Sequence, residues 1–281
     1  ESQDIANSIV DFASGLVQVI NTAPSGTITI PEDPYLASNQ LPYAYLPMLD
    51  PDINSAASIW KGNLKKYDLN QGTLFGKSNR PLYRDIFNNA NLNNSTGILD
   101  PRTQDLWQTE AFELNSAAAN NNIFAGGVYS QLRTPSSGLS SVRSVYVEDF
   151  TSTNNKTPIL RKLSVDGSGK PVGFNNLKDT AVYTQLNQRR LLSFLGFESV
   201  LTSGGQPSST AAVTSLTLTK PTSEVKVLGG VVHSKPTTIS YGATLDERGR
   251  ITDNRNDYVL FGSMDGALHI VNADDGKEDA A

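Results

Sequence analysis

Cysteine is absent from the 281 residues, which removes a disulfide framework, thiol catalysis and thiolate-bound zinc together. It also leaves the redox compartment unreadable. No run approaches the ~18 apolar residues of a spanning helix, and the opening "ESQDIANSIV" lacks the basic and apolar regions of a signal peptide. Clustered basic residues are equally scarce. The net charge is -5 and the pI is near 5.1, with basic knots only at Lys65-Lys66 and Arg189-Arg190. Phosphate neutralisation needs more than that, so nucleic acid is not an expected partner. Glycine-rich nucleotide loops are missing too: the "SGG" at Ser203 to Gly205 leads into Pro207 instead of a helix.

What remains is an ordinary water-soluble composition, 38% hydrophobic and 18% charged, long enough for one large β domain or for two domains. Ile5, Ile9, Phe12, Leu16 and Val19 recur at helical spacing, with Ser8, Asp11, Ser14 and Gln18 off that stripe. Residues 1–22 therefore read as an amphipathic helix, either the last of a preceding domain or one that packs on the downstream chain. Pro24, Gly26, Pro31 and Pro34 mark 23–40 as a Pro-rich linker.

From about Leu41 the pattern becomes β, with "YAYLPML" and "AASIWKGNLKKYDL" as strands. The second of these aligns with the C-terminal stretch. "KGNLKKYDLNQGT" from Lys61 matches "DGALHIVNADDGK" from Asp265 in type: Gly62 with Gly266, Leu64 with Leu268, Tyr67 with Val271, Gly72 with Gly276. Each reads as strand, Gly turn, alternating strand, polar turn. A fainter copy lies in "PILRKLSVDGSG", with a strand at Val142 to Asp149 before it. Such repeats mark propellers and solenoids, in which one small sheet gains stability by stacking on the next. The copies lie farther apart than the ~40–50 residues of a regular blade, so insertions intervene at 77–125 and 174–225. Short helical pieces are expected near Leu82 to Phe87 and Asp105 to Leu114, a helix in "TAVYTQLNQRRLLSFLGF", and an exposed loop in "SGGQPSSTAAVTS".

A search for reacting groups leaves little. His233 and His269 both fall in predicted strands and read as groups that hold neighbouring backbone. Ser234 or Ser263 composes a triad with either histidine on paper, without a nucleophile elbow to support it. Asp50, Asp52 and Asn54 alternate as calcium ligands do, but Ser55 and Lys61 stand where an EF-type loop needs Gly and Glu. Asp253, Asn254 and Asp257 read as a hairpin turn. Trp60 is expected in the core and Trp107 as a surface anchor or a local core. Asn93, Asn94 and Asn155 open glycosylation sequons. No catalytic, cofactor or metal residue is assigned.

"IWKGNLKKYDL" at Ile59 to Leu69, "GGVYSQL" followed by "RSVYVED", and "VLGGVVHSKP" followed by "YVLFGSMDGALHIVNADDGKE" resemble the PilY family of type IV pilus tip-associated adhesins. The likeness runs from about residue 40 onward, specific at its two ends and loose between. Gly230 stands where the family often has Asp, and Met264-Asp265 where it has Asn-Asp. The family's D-x-D-x-D-G calcium loop has no counterpart, so the resemblance implies calcium only in later blades. Its upstream von Willebrand factor A-like domain is represented at most by its final helix, residues 1–22.

The expected fold is thus mainly β with α insertions: an incomplete β-propeller of early blades preceded by an N-terminal helix, with first strands and long insertions in 41–225 and a blade hairpin in 226–281. On this reading the chain is a fragment, starting before Glu1 and continuing past Ala281. The resemblance implies a non-enzymatic pilus biogenesis and tip adhesin, exported to the pilus tip and cell surface of a Gram-negative bacterium. It would support pilus extension, twitching motility, adhesion and DNA uptake. Minor pilins, host-cell or abiotic surfaces and the remaining blades would be its partners. Two other readings stay open: a quinone-dependent propeller dehydrogenase fragment, whose blades carry similar hairpins, and a carbohydrate-binding surface module.

Overall fold

A computed structural model describes residues 23–24, 27–51, 59–70, 72–85, 95–100, 102–109, 123–135, 139, 143–198 and 211–281. The predicted helix over 1–22 lies outside them. The described chain is mainly β, arranged in antiparallel sheets of which none closes on itself among these residues.

The first sheet is built on two strands. β1 (Ala23–Pro24) pairs with β4 (Tyr43–Asp50), and between them β2 (Glu32–Asp33) and β3 (Leu36–Gln40) form a short hairpin. The segment 23–40, expected as a linker, is thus tied into the fold, and Thr29 also bridges to Tyr45. β4 pairs along its whole length with β5 (Lys61–Asn70), from Tyr43 opposite Asp68 to Asp50 opposite Lys61. β6 (Thr73–Gly76) and β7 (Arg80–Pro81) complete the order β1-β4-β5-β6-β7. The turn into β6 uses Gly72 at φ +76°, a left-handed conformation that glycine adopts without a Cβ penalty.

Gly62 differs from the turn glycine expected of it. It lies inside β5, where a Cβ would stand 2.4 Å from the Gly230 Cα. Its bare backbone admits a crossing segment: Gly62 N donates to Leu228 O at 3.0 Å, and Gly230 N to Trp60 O at 3.0 Å.

One face of β4 and β5 presents Ala44, Leu46, Met48 and Tyr67, and the insertion covers it with Leu82, Ile123 and partly buried Tyr83, Leu99 and Phe124. The expected helix at Leu82 to Phe87 is replaced over its described part by β8 (Tyr83–Asp85), which pairs with β9 (Ser95–Leu99). Asn-rich sequence hides this strand because pairing, and not apolar alternation, holds it. Asp105 to Thr109, expected as helical, is a turn in which Asp105 Oδ1 accepts from Trp107 N at 3.0 Å. Helix α1 (Gly127–Gln131) comes next.

A second body carries β10 (Val145–Phe150), β11 (Pro158–Val165) and β12 (Pro171–Val172). Helix α2 (Gln185–Phe194) packs Leu192 on this sheet beside Leu163, Phe174 and Phe197. Thr184 caps the helix by accepting from Asn187 N at 3.3 Å. Val213, inside the stretch expected as an exposed loop, is fully buried in the same cluster.

The last sheet runs β13 (Thr237–Leu245), β14 (Ile251–Gly262), β15 (Leu268–Asn272) and β16 (Glu278–Ala280). The β13–β14 turn falls at Asp246 to Gly249. Asp253, Asn254 and Asp257, read as a turn, lie within β14 beside register shifts against β13. Gly266 and Gly276 take φ of +84° and +72° in the two turns the sequence marks. Inward-facing Val259, Phe261 and Val271 meet Tyr45 and Leu64 of the first sheet, with Trp107, Val128, Leu132, Leu228 and Val231 around them. Trp107 is 1% exposed, stacks on Tyr45 at 5.7 Å and donates its indole N–H to Ala273 O at 3.0 Å. The core tryptophan is therefore Trp107, while Trp60, expected in the core, is half-buried and precedes the strand.

Two main-chain bonds sew the second body to the last sheet. Ala281 N donates to Ser144 O at 3.0 Å and Tyr146 N to Ala281 O at 2.8 Å, the slanted pattern of parallel strands.

Candidate functional site

Alternation in β15 turns His269 inward, where it stacks on Phe261 at 4.9 Å and is fully buried. Inward placement of a charged-capable ring demands partners. Its Nδ1 lies 2.7 Å from Glu278 Oε1 and its Nε2 2.7 Å from Ser263 Oγ. Glu278 is likewise inward, opposite Val271 across β15–β16. Its other contacts come from Arg143: Nε reaches Oε2 at 2.5 Å and Nη2 reaches Oε1 at 2.7 Å, while Nη1 donates to Val227 O at 2.7 Å. Beyond Ser263 stands Asp265, which accepts from the serine hydroxyl at Oδ1 and from Gly229 N at Oδ2, the latter at 2.7 Å.

The result is a row of alternating sign, Arg143, Glu278, His269 and Asp265, with Ser263 between the last two. Side-chain exposure is 2%, 1%, 0% and 7% along it. Burial alone would lower the His269 pKa, but the carboxylates of Asp265 and Glu278 outweigh it and hold the imidazole above its usual value. Burial would raise Asp265, but its bonds from His269, Ser263 and Gly229 bring it down to about 2. At 3.9 Å from the imidazole, Asp265 acts on it by charge and through the hydroxyl between them. Glu278 is lowered in the same way by His269 and Arg143 against its burial.

These distances bring together Ser263 and His269, the pair from which the sequence composes a triad, with Glu278 in the third place. In its protonated form, which the flanking carboxylates favour, the imidazole donates from Nδ1 to Glu278 and from Nε2 to Ser263, leaving the serine proton to Asp265. A general base needs the reverse, a neutral imidazole accepting the hydroxyl proton. What the arrangement does is clamp: it ties the start of β10, the crossing segment at 227–229, the β14–β15 turn and β16 to one another.

His233 and Ser234 go elsewhere. His233 is exposed and lies outside the strands, contrary to the expectation, and Ser234 Oγ accepts from Gly262 N at 2.8 Å. Arg143 and Glu278 do not stand out in the sequence. The one local signal is a glutamate at an inward position of a short strand; nothing local points to its partner, 135 residues away.

A second polar group fills the seam between the first and last sheets. Lys66 donates to Ala273 O at 2.7 Å and lies 4.0 Å from the Tyr43 ring centroid. Burial pulls its pKa down, and burial together with the nearby Asp257 charge pushes Tyr43 up to about 12. Arg255 pairs with Asp257 at 2.8 Å and with Asp33 at 3.0 Å, and lies over the Tyr35 ring. The Lys65-Lys66 and Arg189-Arg190 knots thus place Lys65, Lys66 and Arg189 in the interior. Asp257, weighed as a calcium ligand, is engaged by arginine; Asp52 and Asn54 lie outside the described residues, and Asp50 ends β4. Among the described residues no group of three or more His, Asp and Glu is placed to hold a metal ion. Of the sequons, Asn93 and Asn94 lie outside the described residues, and Asn155 is exposed in the turn before β11.

Comparison of the chain with protein-family models, with curated proteins and with solved structures returned no match.

Proposed function

We propose that the chain is a non-enzymatic binding and assembly module, the early-blade portion of a β-propeller in an exported, PilY-like component of the type IV pilus tip. One observation carries the reading. The two stretches in which the resemblance is most specific, Ile59 to Leu69 and Val227 to Pro236, lie side by side: Lys61 bridges to Gly229, and Gly62 and Gly230 exchange bonds with Leu228 and Trp60. Residues that pair across this distance in sequence answer to one packing constraint, which the resemblance shares. Among the buried polar residues, Lys66 bonds the first sheet to Ala273 of the last and Arg143 bonds the β10 body to Glu278, contacts that suit a scaffold. No described helix is long and apolar enough to cross a membrane.

Minor pilins are the proposed assembly partners, and host-cell or abiotic surfaces the adhesive targets. The insertions at 77–125 and 174–225 are the proposed contact regions, since loops on a rigid scaffold carry recognition. The test is biosensor binding of the 281-residue chain to a panel of recombinant minor pilins, with major pilin as control. Saturable binding to a minor pilin, at a Kd of about 10 µM or tighter, supports the reading; equal or absent binding across the panel removes it. Dye reduction on addition of pyrroloquinoline quinone and Ca2+ would instead favour the dehydrogenase alternative, and saturable binding on a glycan array the carbohydrate-binding one.

A further inference from the structure

Asn155 opens the sequon Asn155-Lys156-Thr157, which takes no part in the contacts between sheets. It sits at the tip of the hairpin that joins β10 to β11, where residues 153–158 are all exposed. A polar tip has no core to fold against, so its shape comes from its own hydrogen bonds. Thr151 N donates to Thr157 O at 3.1 Å, and Ser152 N to Asn155 O at 3.2 Å. Thr151 Oγ1 also donates to Asn155 O at 3.0 Å, and Ser152 Oγ accepts from Asn155 N at 2.9 Å. Both backbone polar groups of Asn155 are thereby held.

The side chain is ordered in the same way. Asn155 Oδ1 accepts from Thr157 N at 3.3 Å and from Thr157 Oγ1 at 2.8 Å, and among the described residues no hydrogen bond engages its Nδ2. An amide nitrogen is a poor nucleophile because its lone pair is delocalised into the carbonyl. When Nδ2 gives up a proton, negative charge gathers on Oδ1, where the two Thr157 donors stabilise it as an oxyanion hole does. The hydroxyl at the third position thus has a chemical task. Lys156 holds its ammonium 5.8 Å from the Phe150 ring centroid, a positive charge at the tip that suits an anionic donor.

We propose that Asn155 is an N-glycosylation acceptor in the folded chain, taking a sugar at Nδ2 from a glycosyl phosphate donor. The C1–N bond forms as the C1–O bond to phosphate breaks. Phosphate leaves with the bonding electron pair, and one Nδ2 proton passes to a base of the transferase. A nucleotide-linked and a lipid-linked sugar share this chemistry. Pro158 follows the sequon as the first residue of β11, opposite Phe150, so Thr157 makes its bonds with the proline's restriction already in place. The inference is independent of the pilus reading.

The test uses the full chain, purified folded from a host without N-glycosylation. One arm adds a soluble asparagine-specific N-glucosyltransferase with UDP-glucose; the other adds detergent-solubilised oligosaccharyltransferase with a lipid-linked oligosaccharide. Peptide mapping by mass spectrometry should find Asn155 glycosylated in at least one arm, with a gain of about 162 Da in the first. The arm that succeeds identifies the donor class. Asn155→Gln should abolish the gain. Thr157→Ala should cut the rate at least about tenfold, and Thr157→Ser should restore most of it, with far-UV circular dichroism unchanged throughout. A folded chain unmodified at Asn155 in both arms overturns the proposal, whether or not a free peptide spanning 150–160 is modified. So does an undiminished rate for Thr157→Ala.

Discussion

β5 and β15 occupy matching places in the internal repeat, yet their sheets meet opposite fates. Among the described residues, the first sheet is covered on both sides, by the last sheet inward and by Leu82, Ile123 and their neighbours outward. The last sheet is covered on its inward side, and Leu268 on the other is exposed. Their buried polar residues differ as well. In β5, Asn63 is satisfied by backbone: its amide donates to Ile123 O at 2.7 Å and Gly126 O at 3.0 Å, and its oxygen accepts from Leu64 N and Tyr129 N. In β15 the corresponding demand is met by other charges, His269 with Glu278 and Arg143. The aligned stretches share a strand and the turn at Gly72 and Gly276, but not the earlier turn, since Gly62 lies inside β5 where Gly266 turns.

The contrast breaks most sharply at the charge row. Glu278→Ala leaves Arg143 and His269 buried without their shared counter-ion, and truncating one member of a buried pair costs about 3–5 kcal/mol. Urea denaturation should show that loss in full, whereas Asn63→Ala, which frees backbone groups and no charge, should cost about 1–3 kcal/mol. Next come the outer faces. Leu46→Ala removes a fully buried side chain and should cost about 2–5 kcal/mol; Leu268→Ala should stay within about 0.5 kcal/mol. Equal losses would mean that the last sheet's outward face is also interior.

The repeat's two turn glycines sharpen the comparison further. Gly72 and Gly276 share a left-handed φ, but a Cβ on Gly276 would stand 2.7 Å from the Trp107 ring, while one on Gly72 meets nothing within 4 Å. Gly72→Ala should cost about 1 kcal/mol from backbone strain alone. Gly276→Ala adds the overpacking of a well-filled core, about 1–3 kcal/mol more.

The smallest effect is the pH dependence, which belongs to the last sheet. His269 is raised in the folded state, so its contribution is complete below the unfolded value of about 6.5 and fades as pH rises through the higher folded value. Asp265 is depressed to about 2, so its contribution is complete above the unfolded value of about 3.9 and fades as pH falls toward 2. Denaturation midpoints should therefore peak between these limits and decline on both sides. His269→Gln should abolish the alkaline decline; if it persists unchanged, the imidazole is not its source.

Much of the scaffold was legible locally. The strand pattern located β4, β5, β15 and the end of β14 from Leu260; Asp265-Gly266 and Asp275-Gly276 were turns as read; and the stretch around α2 was read as a helix despite its mixed periodicity. Fold class was legible in its coarse form, a mainly β chain in antiparallel sheets, and the propeller itself remains part of the proposal. The misreadings share a cause. β8 sits in polar sequence because its pairing with β9 is satisfied by backbone, which carries no apolar signature. Trp60, expected in the core, is half-buried, and Trp107 takes the core alternative of its two readings, because strand membership does not say which indole the opposing sheet will enclose. The candidate site was half legible: His269 and Ser263 stand six residues apart, but Glu278 acquires meaning only through Arg143.

That separation has a consequence in time. At about 5–20 residues per second of synthesis, Arg143 leaves the ribosome roughly ten seconds before the carboxylate that neutralises it, 135 residues later. The β10 body can assemble its own interior in that interval, but its junction to the β13–β16 sheet must wait for β16. The guanidinium is thus a latch installed early and fastened late, and any nascent chain halted before Glu278 carries it open.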